Sequence, residues 1–319
     1  MLEKLFEKLN PVKRTKPLTT HGVGFSYSDK EILKNISLNL KKGEILAVIG
    51  RSGSGKSTFL KLIAGIISVN YLGKIRVFGL PKFFNREKIG FVPQENSFIP
   101  DLSLEDNIKI AGLNLGITER KALEKAESLL KYLKLEESLK KSPAEMSGGQ
   151  RVRFNIVLSL LHDPDILIMD EPFAGLDFQN RRILWHFIEA MKRKDKSIIL
   201  TSHLLNETQQ HVDKMLILKD RKVFFEGDLD GLRKKMKINF LLELSVSKIS
   251  EENFEKIRKF CIYKDIKIME KYDRYIMFGL QSESMRSTLT NLLNKLKIEF
   301  KEVGFREPNL DEVFLENEH

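Results

Sequence analysis

Apolar positions fall along this chain in two rhythms. The stretches EILAVIG (44–50) and DILIMDE (165–171) are almost continuously apolar over a short length. Such runs predict strands covered on both faces, as in a parallel sheet with helices packed around it. Between them, TERKALEKAESLLKYLKL (118–135) sets Ala122, Ala126, Leu129, Leu130 and Leu133 along one helical face, with Thr118 as the expected N-cap. From residue 19 to about 230 the pattern is strand–turn–strand, then alternating strands and helices, which is an α/β order.

Near DGLRKKMKI (230–238) the pattern changes. NFLLELSV (239–246) reads as a strand, SEENFEKIRKF (250–260) as a helix capped by Ser250, and RYIMFGL (274–280) as a strand. SMRSTLTNLLNKL (284–296) reads as a helix and IEFKEVGF (298–305) as a last strand. That order predicts a small α+β unit. In the tail PNLDEVFLENE (308–318), Asn309 followed by Glu312 predicts a capping box before a short final helix. At the other end, Leu2, Leu5, Phe6 and Leu9 stand at helical spacing before Asn10-Pro11 and the basic linker VKRTKP. A helix this short needs a surface to dock on.

Composition sharpens this in three ways. The 319 residues are 42% hydrophobic and 31% charged, a balance that supports a buried core. Net charge is +10, but residues 240–319 hold 13 Lys/Arg against 15 Asp/Glu, so an excess of +12 sits in the first 239 residues. Such an excess suits polyphosphate, nucleic acid or an anionic membrane face without choosing among them. Cys261, the single cysteine, rules out a disulfide within the chain and any Cys-based metal cluster; RKFCIYK reads as a half-buried apolar position. No stretch approaches the roughly 18 apolar residues of a membrane span. The opening MLEKLFEKLN, with Glu3 and Glu7, lacks the features of a secretory signal, so a cytoplasmic protein is expected.

The clearest chemistry is GRSGSGKST, residues Gly50, Arg51, Ser52, Gly53, Ser54, Gly55, Lys56, Ser57 and Thr58. It follows an apolar strand and precedes a helical pattern, the context that a phosphate-binding G-x-x-x-x-G-K-S loop requires. Glycines let consecutive amides curl around phosphates, and the helix N-terminus adds its positive end. Lys56 is expected at the β- and γ-phosphates and the Ser57 hydroxyl in a Mg²⁺ shell. Asp170 and Glu171 close ILIMDEP. Such a pair at a strand end is common by itself. Behind the loop at 50–58, it predicts Asp170 near Mg²⁺ and Glu171 polarising an attacking water. Gly148 and Gly149 in EMSGGQRVR stand just ahead of a predicted helix, where bare backbone needs a reason.

At this point the chain resembles the ATP-binding subunit of an ABC transporter over residues 19 to about 230, with SGGQ (147–150) as the family's signature. The resemblance implies a P-loop NTPase of the ABC type, with a mixed sheet, flanking helices and a helical subdomain at about 96–160, plus a small C-terminal α+β domain. The expected boundaries are 1–18 for an N-terminal helix and linker, 19–232 for the ATPase domain and 239–319 for the accessory domain. It further implies two ATPase domains, head to tail, sandwiching ATP and Mg²⁺. Within the signature Ser147, Gly148, Gly149 and Gln150, Ser147 and Gly149 of one copy would then lie against the γ-phosphate held by Lys56 of the other. Tyr27 corresponds to the aromatic that stacks on adenine, and Gln94 to the glutamine near Mg²⁺ and water. Asp177 in AGLD corresponds to the loop crossing the dimer interface, and His203 to the histidine that contacts the γ-phosphate. Met146 and Ala174 are mild departures from the usual leucine and serine.

The implied partners are a separately encoded integral membrane permease and a second ATPase subunit, identical or paralogous, with the chain peripheral on the cytoplasmic face of the membrane. EPNLDEVFLEN (307–317) resembles the tail of exporter subunits of the ABC-2 type. The alternative is a soluble ABC-type ATPase acting on the ribosome or nucleic acid. It rests on the +12 of the first 239 residues, but no aromatic-basic stripe accompanies that charge, so no nucleic acid is expected.

Overall fold

The computed structural model describes residues 16–315 and divides the chain into two compact units, Met1–Glu226 and Gly227–His319. The expected N-terminal helix lies outside the described residues.

In the first unit, β1 (Leu18–Tyr27) and β2 (Lys30–Leu40) form an antiparallel pair, continued on the other side of β1 by β4 (Tyr71–Val77) and β5 (Leu80–Pro81). A second sheet has the order β10-β9-β3-β8-β7-β6, built from β3 (Ile45–Gly50), β6 (Ile89–Val92), β7 (Ile166–Met169), β8 (Ser197–Thr201), β9 (Lys214–Lys219) and β10 (Lys222–Gly227). The pairs β9-β3, β3-β8, β8-β7 and β7-β6 are parallel. Every residue of β3, β7 and β8 is buried, as their continuous apolar runs require. Helix α1 (Lys56–Ile63) turns Phe59, Leu60, Leu62 and Ile63 into a core shared with Leu18, Leu33 and Leu40 of one sheet and Leu46, Ile168 and Ile199 of the other.

A helical segment follows β6. It contains α2 (Leu104–Asn114), capped by Ser103, then α3 (Glu119–Tyr132) and α4 (Gly148–Leu160). Ala122, Ala126, Leu130 and Leu133 are buried as the periodicity predicts. Thr118 takes the N-cap backbone position of α3, but its hydroxyl makes no capping bond, and the helix stops at Tyr132. Further on lie α5 (Phe178–Arg193) and α6 (Leu205–His211).

The second unit begins with α7 (Leu229–Met236). It continues with β11 (Phe240–Val246), α8 (Glu251–Lys264), β12 (Lys267–Tyr272), β13 (Tyr275–Leu280), α9 (Ser284–Lys295), β14 (Phe300–Arg306) and α10 (Leu310–Leu315). The sheet order β12-β13-β11-β14, antiparallel throughout, is a βαββαβ ferredoxin-like arrangement. Strand β12 is the element that hydrophobic patterning misses. It is a lysine-bearing edge strand with no fully buried residue, a form that edge strands take to avoid pairing with other chains. Ser250 caps α8 through the Asn253 amide, as expected. The predicted box at Asn309 is present in both directions, with Asn309 N donating to Glu312 and Glu312 N donating to Asn309 Oδ1. Cys261 is fully in the core, and burial pushes its thiol up to about 12, which leaves it unreactive.

One lysine of the first unit is only 2% exposed. Lys82, directly after β5, donates from Nζ to Leu62 O at 2.6 Å and Ile67 O at 3.0 Å, with the Tyr71 ring 4.4 Å away. It thus places an ammonium at the negative end of α1. Burial first, and Arg86 second, depress its pKa from 10.5 to about 8. Between those values the unfolded chain holds a proton that the folded chain has released, so stability rises with pH across that window. Lys82→Met removes the donor to both carbonyls and should cost about 1 kcal/mol at pH 7. In urea unfolding, its deficit against the unaltered protein should grow as the pH is raised from 8 towards 10. A deficit that is flat or shrinks would show that Lys82 does not titrate in that range.

Candidate functional site

The parallel strands β3, β6, β7 and β8 end at a common edge, where the phosphate loop, Gln94, Asp170, Glu171 and His203 gather. β3 finishes at Gly50, whose Cβ position is only 2.5 Å from Ser54 Oγ and 2.7 Å from Leu218 O, so the strand can end only in glycine as the loop folds back. The loop then runs through Arg51, Ser52 and Gly53, all exposed, to Gly55, which precedes α1 in the left-handed region at φ 96. A side chain on Gly55 would also strike Leu33 at 2.7 Å. Lys56 folds over this loop, donating from Nζ to Gly50 O at 2.8 Å and Arg51 O at 3.2 Å. Its pKa is lowered by burial, against the pull of the Glu171 and Asp170 carboxylates. Thr58, one turn into α1, is half-buried.

Asp170, 3% exposed, follows β7 and is held there by its N–H to Val92 O at 2.9 Å. Its Oδ1 accepts the Ser57 hydroxyl at 3.1 Å and the Thr201 hydroxyl at 2.8 Å. Glu171 takes a left-handed φ of 51, and its N–H donates to Thr201 Oγ1 at 2.7 Å. His203 Nε2 lies 3.1 Å from Glu171 Oε1 without hydrogen-bond alignment, leaving that buried oxygen without a hydrogen-bond partner. Burial raises the Glu171 pKa, while His203 and Lys56 pull it down and Asp170 pushes it up again. The Ser54 hydroxyl is likewise buried and unpartnered.

Gln94 is exposed two residues beyond β6, at the same edge, because Val92 pairs in register with Met169. Tyr27 ends β1 of the other sheet, 51% exposed, with its ring edge-on to Phe25 at 4.7 Å. The structure therefore brings Lys56, Ser57, Asp170, Glu171 and His203 into one constellation, with Gln94 on its rim.

Ser147, Gly148, Gly149 and Gln150 are placed differently, at the start of α4. Ser147 Oγ accepts the Gln150 N–H at 3.3 Å, and Gln150 Oε1 accepts the Ser147 N–H at 2.9 Å, a complete capping box. Near the other end of α4, Ser159 donates to Phe91 O of β6 at 2.8 Å. Twelve residues of helix put Ser147 about 18 Å from that anchor. Asp177 caps α5, accepting the Asn180 N–H at 2.8 Å and the Asn180 carboxamide at 2.9 Å, and these bonds hold its pKa low.

The charge and geometry fit a nucleoside triphosphate with its metal. Left-handed glycines open the loop, a lysine stands at the helix N-terminus, and a buried carboxylate and a serine hydroxyl share one point. The Ser54 hydroxyl and one Glu171 oxygen are buried without a hydrogen bond. This fold and site define a P-loop nucleotide triphosphatase. The family model described as ABC transporter matches residues 33–174. The linearmycin resistance ATP-binding protein LnrL of Bacillus subtilis is 30% identical over 301 residues, covering 93% of this chain and 97% of that protein. The Nod factor export ATP-binding protein I of a Rhizobium species is 32% identical over 215 residues, 66% of this chain and 70% of its own. Among solved structures, an ATP-binding subunit of an ABC transporter superposes with a TM-score of 0.62 at 28% identity, covering 68% of this chain and 92% of its own. The chain belongs to the ATP-binding subunits of ABC transporters, whose activity is the binding and hydrolysis of ATP. Among the described residues, no helix is long and apolar enough to cross a membrane.

Thr201 is the site residue that sequence reasoning passed over. Two places before His203 it looks like any threonine ending a strand, yet its hydroxyl donates to Asp170 and accepts from the Glu171 amide. Thr201→Val keeps the shape and removes both bonds. It should lower stability by about 1–3 kcal/mol, because a buried N–H and a buried carboxylate each lose a partner. ATP turnover should fall with it. Chemical denaturation and a steady-state ATPase assay check this, and an unchanged protein in both would refute the role.

Proposed function

We propose that this chain is the ATP-hydrolysing subunit of an exporter of the ABC-2 type, working on the cytoplasmic face of the cell membrane with a separate membrane-spanning permease. The observation that carries it is the joining of Lys56, Ser57, Asp170, Glu171 and His203 at one sheet edge. Export is supported by the likeness to proteins named for linearmycin resistance and Nod factor export, and by the tail motif.

In this reading the amides of Gly50 to Thr58 and the Lys56 ammonium hold the phosphates, and Tyr27 stacks on the adenine. Ser57, Asp170 and Gln94 would hold Mg²⁺, which when bound neutralises developing phosphate charge. Lys56 exchanges its two loop carbonyls for phosphate oxygens. Glu171 orients the attacking water and accepts its proton at the carboxylate oxygen that lacks a hydrogen bond. His203, exposed beside Glu171, reaches the γ-phosphate. Ser147 to Gln150 and Asp177 serve the second subunit, completing its site across a head-to-tail dimer.

Glu171→Gln should nearly abolish turnover, keep ATP affinity and accumulate an ATP-bound dimer, whereas Lys56→Ala should lose binding. Turnover, nucleotide titration and light scattering with ATP measure the three. A Glu171→Gln protein hydrolysing at close to the normal rate would sink the assignment. The signature is tested at Gly148, whose Cβ position has no neighbour within 4 Å in its own chain. Gly148→Asp puts a carboxylate at a helix N-terminus, where it is tolerated locally. Against a partner's γ-phosphate it is repelled. Nucleotide binding to the single chain should survive while dimerisation and turnover fail. Equal loss of nucleotide affinity would place the signature at its own chain's site.

A further inference from the structure

The two signature glycines are bare for different reasons. Gly148 opens onto free space, but a Cβ on buried Gly149 would fall 2.7 Å from both Cγ and Nδ2 of Asn180 in the same chain. Asn180 cannot swing aside freely. Its carboxamide donates to Asp177 Oδ2 at 2.9 Å while its N–H donates to Asp177 Oδ1 at 2.8 Å. From the other side, buried Arg153 donates to Gly149 O at 3.2 Å and to Leu133 O at 2.8 Å.

We infer that Asn180 is a positioning residue that locks the loop ending at Asp177 to the signature turn at Gly149, so that both reach the second subunit as one rigid piece. The inference rests on the ATP-sandwich reading above. The missing side chain of Gly149 makes room for Asn180, and only its N–H is left for a partner's nucleotide. Gly148 is the glycine whose bareness leaves room outside the chain. In this role Asn180 acts through Gly149 and Asp177.

Three variants test this in the full chain, with ATP turnover, ATP affinity and circular dichroism measured together. Gly149→Ala should cut kcat roughly tenfold or more, and adding Asn180→Ala should recover much of that loss, because contacting residues couple with that sign when one makes room for the other. The isosteric Asn180→Asp keeps the volume against Gly149 but sets a second carboxylate against Asp177. It should lower kcat several-fold while ATP affinity of the single chain stays unchanged. A double variant no better than Gly149→Ala, or an Asn180→Asp protein with normal kcat, overturns the inference. A Glu171→Gln protein with Asn180 and Gly149 intact forms the ATP-bound dimer if the sandwich reading holds. Its failure to do so would overturn that reading instead, and the inference with it.

Discussion

A carboxylate taken out of water must be met by donors, and Asp170 is met by two hydroxyls from two different elements. Ser57 brings the first turn of α1, and Thr201 brings the end of β8. The strand neighbours β6 and β7 meet at the same place through the Asp170 N–H. The edge where phosphate chemistry is expected is thus assembled around one buried charge. Thr201 also decides the fate of Glu171. Adjacent residues on a regular strand point to opposite faces. The left-handed turn at Glu171, with its N–H on the Thr201 oxygen, lets both carboxylates reach the same edge.

What was legible in the sequence was legible because the chemistry restricts residue type. A loop that wraps phosphate needs Gly50 and Gly55 for backbone reasons, and a buried parallel strand needs the unbroken apolar run of 45–49. The α/β order of the first unit and five of the six elements between 239 and 305 can be read the same way. Four features could not be read, and three of them depend on a neighbour far away in the chain. Thr201 is ordinary until Asp170 lies against it. Lys82 resembles any surface lysine until Leu62 O and Ile67 O converge on it. Asn180 is the third residue of a helix until Gly149 is beside it. Strand β12 carries too little apolar alternation to stand out, because its partner β13 supplies the burial. Patterning reports what a segment needs from water; it does not report which distant group will satisfy it.

The second unit shows the same logic with charge. Arg306, at the end of β14, donates to Glu243 on β11 at 2.9 Å and to Glu312 on α10, which raises its own pKa further. Glu243 also accepts the Tyr275 hydroxyl at 3.2 Å; burial first, and then the Glu243 carboxylate, push that phenol up to about 12. Glu312 is at once the capping residue for the Asn309 amide and the partner of Arg306. The tail motif that resembles those of exporter subunits therefore has a local physical purpose. Its acidic residue starts α10 and ties it to the sheet, while Leu310 and Val313 are fully buried.

Helix α1 joins the site to the core. It has eight residues, too few to be stable alone, so its position comes from packing and from its ends. Phe59, Leu60, Leu62 and Ile63 supply the packing between two sheets. The negative end is closed by the Lys82 ammonium on the Leu62 carbonyl, and the positive end is left for the loop. A cation at the C-terminus and an anion at the N-terminus are both favourable to a helix and do not compete. At the start of the helix, Lys56 donates to the carbonyls of Gly50 and Arg51. Both ends of the helix are therefore tied by a lysine ammonium to backbone carbonyls, Lys82 behind it and Lys56 in front.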